Sequence, residues 1–309
     1  MAAVAAEAAA GVAVADNEPQ KQFRDRVGIG WRGELAAGIF ANIDHIDMLE
    51  VIADDHYRAP QKMLRALRTL AAQIPITLHG VSMGLASTEQ VESRRIEAMA
   101  RLIDVLQPES WSEHLAFVRA GGIEIGHLAA PPRTQQNVEA AIANVTRARN
   151  IVGSSPLLEN IATLINPPAS LLDEATWVSE IISGSGAGLL LDLHNLYANA
   201  LNFGEDPESM LLRFPLSLVS TVHLSGGHWI PEPDNPSRGR LLDDHVHDVP
   251  PAVYSLLTVL AQHSTQPLTV ILERDGNYPA FDSLLAQLNA ARDALQHGRT
   301  TARLLSDAA

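Results

Sequence analysis

Short apolar segments that stop at a histidine or an acidic residue recur along the chain. Buried strands of parallel sheets have this continuous apolar pattern. Six of the segments end at His79, His114, Glu159, Asp192, His223 and Glu273. With two further apolar runs near the N-terminus they make eight predicted strands: Val27–Gly30, Ile46–Ile52, Pro75–His79, Ser110–Leu115, Pro156–Ile161, Gly188–Leu193, Leu218–Leu224 and Pro267–Glu273.

Amphipathic helices are predicted between these strands, because apolar residues recur there at three- and four-residue spacing. The predicted helices are Gln61–Gln73, Gln90–Leu106, Gln135–Val152, Ser170–Ser183, Pro207–Phe214, Pro250–His263 and Ala280–His297. Strands that alternate with helices are parallel, and eight such units close into a (β/α)8 TIM barrel of the α/β class. An open doubly wound sheet is the alternative, although no GxGxxG motif opens a helix.

The length of the chain fits a single catalytic domain. A TIM barrel takes roughly 250 residues, and the chain has 309. We therefore predict a flexible tail over residues 1–24, the barrel over residues 25–298 and a C-terminal tail over residues 299–309. No apolar run approaches the ~20 residues of a membrane helix, so we expect a soluble cytoplasmic protein without a membrane partner.

Charge and cysteine content narrow the function further. The net charge is −14, from 22 basic and 36 acidic residues. Nucleic-acid binding needs a concentrated basic face, so this balance argues against a nucleic-acid partner. The chain has no cysteine, which leaves imidazole, carboxylate and amide groups as the available metal ligands.

The ends of the predicted strands indicate a metal site. Barrel strands all point their carboxyl ends toward one mouth, so the six strand-terminal residues should converge there as catalytic groups. Asn195 follows Asp192 closely, either as a further ligand or as a helix cap. The long loop Gly226–Pro251 adds Asp243 and His245, spaced to chelate one ion. The predicted metal ligands are therefore His79, His114, Glu159, Asp192, Asn195, His223, Asp243, His245 and Glu273.

This set of ligands is too large for one ion. Converging carboxylates repel one another unless cations neutralise them, and a six-coordinate metal also needs positions for substrate. The set suits two or three ions. Ligation by nitrogen and oxygen alone suits iron or manganese. It also suits zinc, although these ligand types distinguish zinc from other metals less clearly. Glu113 and His194 are expected to support the ligands rather than to bind metal.

The order and spacing of these residues resemble a known family, the multinuclear non-haem iron-dependent oxidases that include the methanobactin-biosynthesis oxidases. The resemblance covers about residues 27–291. The motifs that carry it are His79-Gly80-Val81, Ser112-Glu113-His114-Leu115, Leu158-Glu159-Asn160-Ile161, Asp192 with Asn195, His223-Leu224, Asp243 with His245, and Glu273-Arg274-Asp275.

The resemblance implies a specific chemistry. Its metal positions fall on the same nine residues, and it implies two or three iron ions of mixed Fe(II)/Fe(III) valence with O2 as co-substrate. The expected substrate is a ribosomally synthesised precursor peptide, oxidised most often at cysteine during RiPP biosynthesis, and a companion protein commonly presents it. Asp55-His56-Tyr57 and Ser82–Ala86 depart from the family pattern, which leaves the identity of the peptide open.

Two other functions remain possible at this stage. A divalent-metal isomerase or phosphodiesterase of the xylose-isomerase or endonuclease IV type also places histidine and carboxylate ligands at barrel strand ends. The other alternative is a catalytically silent barrel that binds peptides as a scaffold. Redox-inactive metal would favour the former, and activity that survives loss of Glu159 or His223 would favour the latter.

Overall fold

Eight parallel strands close into a barrel in the computed structural model, which describes residues 24–232 and 234–308. Each strand pairs with its neighbour in the chain, and the last pairs with the first. The predicted (β/α)8 fold is therefore confirmed. The barrel strands are β1 (Arg26–Gly30), β2 (Leu49–Ile52), β3 (Ile76–Gly80), β4 (Trp111–His114), β5 (Leu157–Glu159), β6 (Gly188–Asp192), β7 (Val219–Leu224) and β8 (Thr269–Leu272).

Nine α-helices follow these strands within the described residues, and each strand has at least one before the next begins. They are α1 (Ala36–Ala41), α2 (Gln61–Ala71), α3 (Ser93–Leu106), α4 (Gln135–Val152), α5 (Glu174–Ser185), α6 (Leu193–Phe203), α7 (Pro207–Leu211), α8 (Pro251–His263) and α9 (Phe281–Asp307). Short 3₁₀ turns lie at Gly33–Leu35, Ile43–His45, Asp54–His56 and Leu216–Leu218. The apolar faces of the α-helices cover strand residues that point out of the barrel, such as Leu158 and Val222, and both of these are fully buried.

Helices α1 and α6 were not predicted from the sequence. Helix α6 starts immediately after β6, where the prediction extended the strand through Leu193. Asp192 is its N-cap, and the side chain accepts a hydrogen bond of 2.6 Å from the backbone N–H of Asn195. Apart from Asp192, the run from Leu189 to Leu193 is apolar, so it resembles a buried strand that continues through Leu193.

The termini of the barrel domain differ from the prediction at one end. The predicted N-terminal tail lies outside the described residues except for Arg24. Helix α9 continues to Asp307, beyond the boundary predicted at residue 298. Arg299 joins the two ends, because its guanidinium donates to Asp25 at 2.7 and 2.9 Å and to the carbonyl of Gln266 at 2.6 Å.

Two antiparallel hairpins rise from the rim. The first hairpin pairs Phe117–Ala120 with Ile123–Ala129, after β4, and the second pairs Gly227–Glu232 with Asn235–Asp243, after β7. The second lies within the segment predicted as an irregular loop, and this prediction was wrong. Glycine and proline interrupt the alternation in this segment, so its sequence carries a weak strand signal. Within the described residues, every helix is too short or too polar to cross a bilayer.

Candidate metal centre

The register of the sheet brings the predicted ligands to one end of the barrel. His114 is paired with Glu159 across β4 and β5, and Asp192 is paired with His223 across β6 and β7. Glu273 directly follows β8. These residues occupy the carboxyl ends of their strands, where barrel active sites lie. All of them are buried, and Asp192 and His223 are fully excluded from solvent.

His79, His114 and Glu159 form the first ligand group. The Nε2 atoms of both imidazoles lie 3.3 Å from the same oxygen of Glu159, Oε2. The opposite ring nitrogens are held by the barrel, because His79 Nδ1 contacts Ser112 Oγ at 2.8 Å and His114 Nδ1 contacts the carbonyl of Gly80 at 3.2 Å. The Nε2 atoms are therefore the ones turned toward Glu159 and free to bind a metal.

Glu159, Asp192, His223 and Glu273 form the second ligand group, with one ligand atom from each lying within 4.8 Å of all the others. His223 Nδ1 is 3.2 Å from Glu159 Oε1 and 3.1 Å from Glu273 Oε2. Glu159 thus belongs to both groups, since its two oxygens face different imidazoles. A carboxylate in this position is suited to bridge two ions.

Asp243 and His245 lie together at the edge of the mouth and line the same cavity as Asn195, and these three residues make up the third ligand group considered. His245 Nε2 lies 2.8 Å from Asp243 Oδ2, and its Nδ1 lies 3.7 Å from Glu273 Oε2. The backbone of His245 has a φ of +55°, a strained region that is often found at functional sites. The backbone N–H of Asn195 donates to Asp192 at the start of helix α6, and its side-chain amide nitrogen donates to the carbonyl of Asn160 at 3.0 Å.

Several atoms of these groups are buried and make no hydrogen bond, although imidazole nitrogens and carboxylate oxygens face one another across the site at 3.1–3.3 Å. They are Glu159 Oε2, Asp192 Oδ2, Asn195 Oδ1, His223 Nδ1 and Glu273 Oε2. A buried polar atom left unpaired costs about 1–3 kcal/mol. All five are metal-ligand atoms of the hard or borderline type, and they belong to residues in the three ligand groups. Bound cations would satisfy them together, so the donor set fits a metal cluster without sulfur.

The close approach of carboxylates and imidazoles also shifts the pKa values of the site residues. Burial disfavours charge on His223, but the carboxylates of Glu273, Glu50 and Glu159 outweigh burial and raise its pKa well above the ordinary value. Burial, with Asp243 and Glu159 nearby, raises the pKa of Asp192 well above its usual range. Without a metal, protons therefore carry the positive charge that the carboxylates require.

Three residues contact the candidate ligands and hold them in place. Glu50, which the sequence analysis did not select, is buried inside the barrel and places Oε2 3.0 Å from His223 Nε2. A charged residue in the apolar run Met48–Ile52 was the available signal. His194 Nδ1 contacts Asp243 Oδ1 at 2.8 Å. Glu113 is fully buried and accepts hydrogen bonds from the backbone N–H groups of His114 and Met83.

A cavity of about 630 Å³, the main cavity, opens onto the ligand groups. His114, Glu159, Asn195, Asp243 and His245 contribute to its lining, and most of the remaining lining is apolar. The apolar walls come from the first hairpin, from the loop after β5 and from the second hairpin: Phe117, Leu128, Ala129, Ile161, Leu164, Pro167 and Leu241. The cavity is large enough for a side chain and its neighbours to approach the ligands.

Comparison with protein families places the chain among known relatives. Residues 26–296 match the model of the RiPP precursor modification enzymes MbnB/TglH/ChrH. The chain belongs to this family. The match covers nearly all of the barrel and confirms the resemblance that the strand-end motifs indicated. The MbnB/TglH/ChrH family is described as enzymes that modify RiPP precursors, and membership of it supports an enzyme.

Individual relatives agree with membership of the MbnB/TglH/ChrH family. A UPF0276 protein of Streptomyces avermitilis is 35% identical over 89% of this chain, which spans only 56% of that relative. A UPF0276 protein of Bordetella bronchiseptica is 31% identical over 91% of this chain and 96% of its own length. The structure of an L-ribulose 3-epimerase aligns over 91% of this chain and 98% of the epimerase, with a TM-score of 0.56 and 16% identity, which shows the fold alone.

Proposed function

We propose that this protein is a multinuclear iron-dependent, O2-using oxidase that modifies a residue, most often cysteine in its family, of a ribosomally synthesised peptide. The proposal depends on one observation: buried ligand atoms without hydrogen bonds are gathered at the mouth of the barrel. Glu159 belongs to two of the groups that these residues form. Membership of a peptide-modifying family supports the substrate class. A companion protein that presents the peptide remains part of the proposal.

Each ligand group would hold one ion. His79, His114 and Glu159 would bind the first, and Glu159, Asp192, His223 and Glu273 the second. Asn195, Asp243 and His245 would bind a third. Bound iron would supply electrons for the reduction of O2 and a Lewis-acidic position for a substrate thiolate.

The protein itself would control orientation and access to water. Apolar residues of the main cavity, such as Phe117 and Ile161, would hold the peptide against the ligand groups and exclude bulk water. His245 is positioned to exchange a proton with the rim, because its Nδ1 lies 3.2 Å from Asp275 Oδ2. Asp275 is in turn paired with Arg32, which keeps that carboxylate oriented.

Iron content tests the proposal most directly. Protein purified anaerobically with iron should contain at least two irons per chain and show the spectroscopic signature of a coupled cluster, for example by Mössbauer spectroscopy. Glu159→Ala should lose that signature because it removes the shared ligand. Glu139→Ala, on the exposed face of α4, is the matched control.

Other outcomes would redirect the assignment. Fewer than two irons per chain without a coupled signal would count against the oxidase. Isomerase or phosphodiesterase turnover with zinc or magnesium would place the protein with the metal-dependent isomerases and hydrolases instead. An activity that Glu159→Ala leaves unchanged would indicate a peptide-binding scaffold.

A further inference from the structure

A second cavity, the arginine pocket, lies beside the mouth and has a volume of about 450 Å³. It is bounded by the segment after β2, the segment after β3 and helix α3. Four arginines line it together with Tyr57 and Ser82: Arg58, Arg94, Arg95 and Arg101. This concentration of positive charge is unusual in a chain with a net charge of −14 and 22 basic residues.

Two of the four arginines are not neutralised by strong ion pairs. Arg94 and Arg95 both contact Glu92, and Arg95 also contacts Glu124. By contrast, Arg101 lies 3.9 Å from Glu97 one helical turn away, an exposed pair worth little. Arg58 has no ion pair in the part of the chain that the structure describes. Arg58 and Arg101 are therefore available to an incoming anion.

The wall of the arginine pocket is held in place. Asp54 accepts hydrogen bonds from the backbone N–H of Val81 at 2.8 Å and from the hydroxyl of Ser82. Arg119 donates to the carbonyls of Ser82 at 2.6 Å and Met83 at 2.9 Å. A wall fixed in advance loses little conformational freedom when a ligand binds.

The arginine pocket is also linked to the metal centre by neighbouring residues and hydrogen bonds. Ser82 and Met83 follow His79 on the segment that leaves β3. The N–H of Met83 donates to Glu113, whose other oxygen accepts from the N–H of His114. One strand of the first hairpin serves both cavities, since Phe117 lines the main cavity and Arg119 holds the wall of the arginine pocket.

We propose that the arginine pocket binds an acidic segment of the peptide substrate while the residue to be modified occupies the main cavity. This inference rests on the proposed function. Guanidinium groups match the planar carboxylates of Asp and Glu side chains, and Arg94 and Arg95 already bind glutamates in this way. Glu92 and Glu124, which pair with Arg94 and Arg95, would repel a dianionic phosphate more strongly than a single carboxylate.

Fluorescence anisotropy with the iron-loaded full chain tests the proposal. The probes are a fluorescein-labelled glutamate-rich peptide and the same peptide with glutamines, and the competitors are inorganic phosphate and free glutamate. We expect the glutamate peptide to bind and the glutamine peptide not to bind, and we expect binding of the glutamate peptide to weaken at high salt. Arg58→Gln with Arg101→Gln should weaken binding at least about tenfold, because two charge-assisted contacts are lost.

The matched control is Arg65→Gln with Arg68→Gln, which removes the same charge from exposed positions of α2 and should leave binding unchanged. Equal binding of the glutamine peptide, or equal weakening by both double variants, would overturn the proposal. Displacement of the glutamate peptide by phosphate at much lower concentration than by free glutamate would overturn it in favour of a phosphate site. Iron content of each variant is measured in parallel, so a failure to form the cluster is distinguished from a failure to bind the peptide.

Discussion

At the residue scale, the two nitrogens of His223 have different partners. Nε2 faces Glu50 at 3.0 Å, and Nδ1 faces Glu159 and Glu273. A carboxylate on the far side of a metal-binding imidazole fixes the tautomer and raises the basicity of the ligating nitrogen. Strand-end position was enough to predict His223 from the sequence. Glu50 was missed because it lies inside β2 and its partner is 173 positions away along the chain.

Glu50→Gln tests this support. The amide keeps nearly the same shape but removes the negative charge next to His223, so we expect iron to bind at least about tenfold more weakly. The measurement is iron titration against a competing chelator. Glu139→Gln on the surface of α4 serves as the control. Unchanged iron affinity in Glu50→Gln would show that His223 needs no carboxylate behind it.

At the scale of elements, the second hairpin brings Asp243 to the barrel. Gly227 pairs with Asp243, and a Cβ on Gly227 would lie 2.3 Å from the carbonyl oxygen of Leu242 and 2.5 Å from a ring carbon of His194. His194 in turn contacts Asp243. The hairpin can therefore approach helix α6 closely only because residue 227 has no side chain. The local sequence could not predict the second hairpin or the position of Asp243, because both depend on packing against α6.

Gly227→Ala should consequently displace Asp243 and His245 while the barrel strands stay in place. We expect the iron content to fall by about one ion per chain, because the third ligand group is lost and the first two remain. Gly33→Ala is the control, since its Cβ would meet no atom within 4 Å. Loss of all iron, or of none, measured by elemental analysis, would contradict this division of the site.

At the scale of the whole molecule, closing the barrel forces acidic and imidazole side chains from many strands into one buried volume. In the metal-free protein, neighbouring carboxylates raise the pKa of His223 and His245 well above 6.5, against the effect of burial. Protonated imidazoles then stabilise the fold. This contribution is complete below the unfolded value of 6.5 and is lost as the pH rises through the raised folded-state pKa values.

We therefore predict that the metal-free protein melts at progressively lower temperature as the pH rises above 6.5. Iron bound as proposed would replace the protons as the source of positive charge, so the iron-loaded protein should show a smaller decrease in melting temperature. Thermal unfolding across this range, with and without iron, measures both curves. The general repulsion of an acidic chain acts on both forms, and the comparison removes it. Equal slopes would refute the linkage.

The sequence by itself determined the barrel and the positions of six candidate ligands at its strand ends. Strand burial, helix periodicity and a histidine or acidic residue at the end of six of the eight strands are local properties, and parallel closure then sends those ends to one mouth. Only the tertiary structure decided how the ligands are supported. Glu50 behind His223, the second hairpin under Asp243, and the wall of the arginine pocket all depend on contacts between distant segments, and such pairings leave no periodic signal in the chain.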